Sequence, residues 1–376
     1  MFGRFMRMLA VVGMLSSLAL QSSPADDPQQ TPPPQHVQVR DDTITIAYGA
    51  TDDDMAILDS HPDVKVVTLG GAESWDGPAP ENFPFKITDI GFAHLAGCKK
   101  LEKLHAFSMH PLQVTDGGLK ALEGLTQLRE MQLGGGQKFT DAGMAHLVPL
   151  TNLEELWLDF NKNLGDGTLE AVGHLKKLRV LRFYDAPLTD EGIKHIKDLK
   201  NLEDLQLGKS RVGDGAMEVI GTFGKLKTLD LQHTRITDAG LARLKPLKLT
   251  WLALNGAAIT SAGLTALADM TDLEWLLLEG TAIDDTGLAH LAGMKKLEHL
   301  SLSGTHVTDA GIAKLTGLEK LTDLRLNDLP LVTDEVMRSL KELKHLKTVE
   351  MNHTQVTAAG FKVLDGLGVK RENVAP

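Results

Sequence analysis

The sequence predicts an α/β solenoid, a curved horseshoe with a parallel β-sheet on its concave side and short helices on its convex side. Three observations carry that expectation. First, the pattern LxxLxL restarts at Leu101, Leu128, Leu153, Leu178, Leu202, Leu226, Leu249, Leu273, Leu297, Leu321 and Leu346, with gaps of 23 to 27 residues. Self-similarity at a nearly fixed period marks a stack of repeats. Second, the first half of each unit, such as LKTLDLQ at 226–232, alternates apolar and polar residues, as a strand with one buried face does. Third, the second half, such as TDAGLARLKPL at 237–247, spaces its apolar residues three and four apart, which describes a short amphipathic helix. A strand and a helix in so few residues leave room only for tight turns. Successive strands must therefore lie parallel and side by side.

From the N-terminus, Arg4 and Arg7 precede an apolar run from Met8 to Leu20 and a small-residue stretch ending at Ala25. Residues 1–25 read as an export signal, which places the domain in the periplasm, on the cell surface or outside the cell. The run is short of the roughly 20 apolar residues of a spanning helix. An uncleaved anchor is the lesser alternative, and no membrane span is expected after cleavage. Residues 26–42 are rich in Pro and Gln and read as a linker that cannot bury enough apolar surface to order itself. The domain occupies 43–376, with TITIAYGATDDDMAILDSHPD at 43–63 as a degenerate capping turn and VKVVTLGG at 64–71 opening the repeats. An insertion, GAESWDGPAPENFPFK at 71–86, adds Trp75, Phe83 and Phe85, as a lid, a contact loop or a decorated turn.

The formal net charge of −11 over 376 residues argues against a nucleic-acid partner, because that recognition rests on clustered Lys and Arg facing phosphates. A single cysteine, Cys98, excludes an intramolecular disulfide and a cysteine-clustered zinc site. The core alone must hold the domain.

Across 43–370 these units resemble leucine-rich repeats, in particular the subtype ending ITDxGLxxLxxLxxL. That subtype is familiar from cysteine-containing F-box-associated repeats and from exported bacterial repeat proteins of planctomycete type. The cysteine-containing subtype carries Cys after the strand and again before the next one. In this chain the first position is usually Thr (Thr234, Thr281, Thr305, Thr354), and Cys98 stands at the second. No F-box is evident, and an export signal is inconsistent with a ubiquitin-ligase role. The resemblance therefore implies architecture rather than a named activity.

The recurring Thr-Asp-x-Gly, as in Thr237-Asp238-Ala239-Gly240, admits two readings. As structure, Thr caps the helix for about 1 kcal/mol, Asp faces the positive end of the helix dipole, and Gly lets neighbouring coils approach. As chemistry, the stacked carboxylates form a calcium ladder, since calcium takes six to eight oxygens. Ser261 and Ala358 interrupt that row, and each coil offers one carboxylate. Structural capping is the expectation, with no metal and no cofactor.

Function is expected where the repeat leaves residues free to vary. The third, fifth and seventh positions of each unit project from the open side of the sheet. Three of the four tryptophans fall in these rows. Trp251 and Trp275 share a position on adjacent strands, about 5 Å apart, beside Leu277. Trp157 neighbours Arg182 and Tyr184, which permits a cation–π contact. Trp, Tyr and Arg dominate interface hot spots, so Trp157, Arg182, Tyr184, Trp251, Trp275, Leu277 and His299 are the candidate contact residues for a protein or peptide. A glycan is the alternative partner, because stacked indoles also suit sugar faces. His299, Ser301 and Asp323 are neighbours of the types found in a hydrolase triad, but an open sheet supplies neither oxyanion donors nor a water-excluding pocket. The chain is expected to be a non-catalytic binder, the lesser alternative being an enzyme that uses the insertion or edge loops.

Overall fold

The structure is a computed structural model that describes residues 36–70, 86–106, 112–135 and 138–371. The expected export signal and the aromatic residues of the insertion lie outside these segments.

Among the described residues, fifteen strands form one sheet in chain order. They are β1 Val37–Arg40, β2 Thr43–Ile46, β3 Val66–Leu69, β4 Lys103–His105, β5 Glu130–Gln132, β6 Glu155–Trp157, β7 Val180–Arg182, β8 Asp204–Gln206, β9 Thr228–Asp230, β10 Trp251–Ala253, β11 Trp275–Leu277, β12 His299–Ser301, β13 Asp323–Arg325, β14 Thr348–Glu350 and β15 Lys370–Arg371. Each repeat strand from β4 to β14 spans the third to fifth positions of its unit, and neighbours pair parallel in register, as in Leu229↔Leu252↔Leu276. Short α or 3-10 helices such as Asp238–Leu241 and Ala242–Leu244 follow the strands. The chain folds as an open leucine-rich-repeat solenoid.

The core follows from the leucine frame. Leu229 from β9, Leu226 and Leu231 flanking it, and Leu241 and Leu244 from the helical turns that follow are fully buried. The same positions recur along the stack, so one continuous apolar layer separates sheet from helices. Burying such side chains contributes about 1.5–3 kcal/mol each relative to leaving them in water, and no unit can do this without its neighbours. After each strand from β5 to β14 the chain turns at the eighth position in a left-handed conformation. Glycine takes it at Gly256, Gly280 and Gly304, while Asp185, Lys209 and His233 adopt it without that freedom.

The sheet starts earlier than composition predicts. β1 lies within the stretch read as linker and pairs antiparallel with β2, Val37 opposite Ile46, because 37–40 supplies edge hydrogen bonds that composition does not register. The capping turn is also less degenerate than it reads: Ile44, Ile46, Met55 and Leu58 are buried like their counterparts in later repeats. At the other end Lys370 and Arg371 of β15 pair with Thr348 and Val349 of β14. Among the described residues, no helix is long and apolar enough to cross a membrane.

Candidate recognition face

The Thr-Asp motif and the open sheet face were the two candidate sites, and the structure separates them. At the motif, each Asp bonds forward to the next repeat. The Thr237 backbone N–H donates to Asp214 Oδ1 at 2.8 Å and its hydroxyl donates to Asp214 Oδ2 at 2.6 Å. The same hydroxyl accepts from Ala239 N–H in the first helical turn at 3.3 Å. Thr therefore relays between its own helix and the preceding coil. Equivalent pairs join Asp52 to Thr88, Asp89 to Thr115, Asp116 to Thr140, Asp166 to Thr189, Asp238 to Thr260, Asp285 to Thr308, Asp309 to Thr333 and Asp334 to Thr357. Where Gly165 or Gly213 replaces the Thr, its backbone N–H still donates, to Asp141 and Asp190 respectively.

This explains the glycine as well. A Cβ on Gly91 would stand 2.5 Å from Asp52 Oδ1, and one on Gly118 would stand 2.6 Å from Asp89 Oδ1. The carboxylate of one coil occupies the space that a side chain would take on the next. The interruption at Ser261 is an exchange rather than a gap. Asp284 stands in the Thr position of the following repeat; Ser261 Oγ donates to Asp284 Oδ1 at 2.6 Å and accepts from Asp284 N–H at 2.9 Å. Hydroxyl and carboxylate have traded places, so the donor–acceptor pair survives. Hydrogen bonds from Ser261 and Thr286 hold Asp284 down at about 2. These carboxylate oxygens are engaged by protein donors, and among the described residues no group of three or more His, Cys, Asp or Glu side chains is placed to hold a metal ion.

On the face turned away from the helices, the fifth-position row runs Trp157↔Arg182↔Gln206↔Asp230↔Ala253↔Leu277↔Ser301. The third-position row runs Asp204↔Thr228↔Trp251↔Trp275↔His299↔Asp323. Both sequence-predicted clusters form, four strands apart. The Arg182 guanidinium carbon sits 4.4 Å from the Trp157 ring centroid, a cation–π distance. Tyr184 meets Phe160 edge-on at 5.3 Å, and its ring lies so close over Gly208 that a Cβ there would be 2.8 Å from it. The Trp275 ring stacks on His299, centroids 3.4 Å apart and planes 20° from parallel. His299 Nδ1 lies 3.1 Å from Asp323. Burial alone would raise the Asp323 carboxyl, but hydrogen bonds from His299 and Thr322 hold it at about 2.

Exposure is uneven along these rows. Trp157, Trp275, Leu277 and His299 are half-buried, whereas Trp251 and Tyr184 are each only 6% exposed and Arg182 only 9%. Parallel rows about 4.8 Å apart let flat side chains cover their neighbours, so the middle of the face is closed by its own residues. The candidates divide into partly accessible side chains, Trp157, Trp275, Leu277 and His299, and covered ones, Trp251, Tyr184 and Arg182. The hydrolase-like trio does not assemble as a relay: Ser301 Oγ donates to Glu279 at 2.7 Å, while His299 pairs with Asp323.

Sequence reasoning missed a carboxylate cluster in the centre of this face. Asp159, Asp204 and Asp230 are 3%, 8% and 2% exposed and surround Arg182, whose Nε lies 3.6 Å from Asp159 Oδ2. Burial pushes Asp204 up to about 7 against the pull of Arg182, with Asp230 and Asp159 adding to the rise. Burial likewise pushes Asp230 to about 6, against hydrogen bonds from Gln232. The available signal was three acids beside one arginine in four consecutive repeats. Nothing in residue type announced their burial.

Two segments, 225–245 and 293–315, match the leucine-rich-repeat family model. No curated protein matches the chain significantly in sequence. Among solved structures, the fold is similar to an internalin from Listeria monocytogenes, with 23% identity, 89% of this chain and 87% of that one covered, and a TM-score of 0.65. It is also similar to a leucine-rich-repeat protein of Leptospira interrogans, at 19% identity, 88% and 89% coverage and a TM-score of 0.56. At these identities the likeness concerns the fold.

Proposed function

For this leucine-rich-repeat protein, we propose that the chain is an exported, non-catalytic binder that recognises a protein or peptide on the concave, open face of its sheet. One observation carries the reading. The leucine frame and the Thr-Asp-Gly entrances repeat along the stack, while the open face carries half-buried Trp157 beside buried Arg182 and Tyr184, and half-buried Trp275, Leu277 and His299 beside buried Trp251. Aromatic anchors that keep accessible area while their supports are locked in place are the composition of an interface hot spot. The stacked Trp275–His299 pair also presents a flat ring, the observation that favours a glycan as the second reading.

The test is selection of a random dodecapeptide display library on the exported domain, beside a glycan array. Peptides should be enriched, and Trp275→Ala with His299→Ala should weaken their binding at least tenfold while thermal unfolding moves by only a few degrees. Binding of glycans without peptides would replace the first reading by the second.

A further inference from the structure

We propose that the carboxylate cluster at the centre of the open face is a subsite for a basic side chain of the bound peptide, held at Asp204 while the peptide backbone is held at Trp157. The inference rests on the peptide-binding reading and specifies the chemistry of its partner. Three buried carboxylates, Asp159, Asp204 and Asp230, face a single guanidinium, Arg182. Two of them already have structural duties. Asp159 Oδ1 accepts from Tyr184 N–H at 2.7 Å, and Asp230 accepts from the Gln232 backbone and side chain at 2.9 and 2.8 Å. Asp204 has one long contact, from Gln206 Nε2 to Oδ2 at 3.5 Å, and its Oδ1 is buried with no hydrogen-bond partner.

A second polar atom on the same face is also buried without a partner, the Trp157 indole Nε1. One is an acceptor and the other a donor, on β8 and β6, two strand spacings or about 10 Å apart. Burying a polar group without a partner costs its lost hydration, so an occupant that satisfies both gains more than contact area. A lysine or arginine residue offers the complementary pair: a cationic donor at the end of its side chain and a carbonyl acceptor on its backbone. The charge agrees, because burial and, after it, repulsion from Asp230 and Asp159 oppose the charged form of Asp204, and a cation entering this cluster adds to the attraction of Arg182 that offsets them. Rotamer changes of the kind common at interfaces open the covered atoms to the ligand.

The probes are the display-selected dodecapeptides of the preceding test, resynthesised with each Arg replaced by citrulline and each Lys by norleucine. Enriched peptides should share one basic residue whose replacement weakens binding to the native chain at least tenfold. The same replacement should change binding to Asp204→Asn by less than twofold. Asp230→Asn, which leaves Asp204 in place, should keep most of the discrimination and serves as the comparison if Asp204→Asn melts early. Peptides that depend on Trp275 but share no basic residue would overturn the subsite and leave the peptide-binding reading standing. Equal discrimination by the native chain and Asp204→Asn would also overturn the subsite, assigning the charge preference to the acidic surface at large. Failure to enrich any peptide would overturn both.

Discussion

At the helix entrances Thr, Asp and Gly each recur in the same place in most repeats, whereas along the open sheet face no two repeats present the same three side chains. Both regions are rows of polar groups repeated at the strand spacing, so their chemistry looks interchangeable in isolation. Their partners differ. An entrance carboxylate bonds a Thr about one repeat away, as Asp214 does Thr237, and each coil must offer the same acceptor because it meets the same donor. The face meets nothing that repeats, and there the sequence varies. Uniformity marks groups whose partner is another copy of the unit; under the proposed reading, variety marks a face whose partner lies outside it.

The largest effect is expected where that uniformity is broken. Asp214→Ala removes the acceptor of two hydrogen bonds to a charged group, each worth about 1.5–3 kcal/mol, and should lower stability by about 3 kcal/mol in chemical unfolding. Gly240→Ala drives a Cβ into the same carboxylate and should cost about 1–3 kcal/mol by overpacking. Gly224→Ala, where a Cβ has no atom within 4 Å, should change stability by less than about 0.5 kcal/mol.

The exchange at Ser261 and Asp284 sharpens the point. Ser261→Asp alone opposes two carboxylates and should destabilise by about 1–2 kcal/mol, while adding Asp284→Thr rebuilds the common arrangement and should recover most of the loss. Neighbours in one network couple by about 0.5–3 kcal/mol, so a double-mutant cycle reads this directly. Additive losses would mean that the two side chains do not act as a pair.

On the face, pH separates support from contact. Asp204 is raised to about 7 and Asp230 to about 6, so the folded chain holds their protons more tightly than the unfolded one. Their contribution to stability is complete below about pH 4 and is lost as pH rises to about 7, at most about 4 kcal/mol for Asp204. Asp323, held at about 2, acts in the opposite sense, its contribution lost as pH falls from about 4 towards 2. Melting followed from pH 5 to pH 8 should decline less in Asp204→Asn than in the native chain. Of the two stacked-row indoles, the smaller stability effect belongs to half-buried Trp275 and the larger to Trp251, whose 6% exposure makes Trp251→Ala a change of packing.

Much of this was legible in the sequence. The LxxLxL frame gave the strands because a buried row must repeat in every coil, and Thr before Asp and Gly gave the helix starts. The direction of the Asp bond was not legible, since its partner lies a repeat away, although the paired change at Ser261 and Asp284 is a trace of it. Register placed Trp157 beside Arg182 and Trp251 beside Trp275. It did not show that Trp251, Tyr184 and Arg182 are covered, because burial on an open sheet depends on which neighbouring side chains lie down across the row. For the same reason Asp159, Asp204 and Asp230 read as ordinary polar residues.

The most direct test of the division between the two regions measures unfolding and peptide affinity side by side for Asp214→Ala and for Trp275→Ala with His299→Ala. The expected result is a crossed pattern: Asp214→Ala melts lower and, while folded, binds selected peptides as the native chain does, whereas the face variant melts within a few degrees of native and binds at least tenfold more weakly. Loss of affinity in folded Asp214→Ala, with the face variant binding normally, would contradict it.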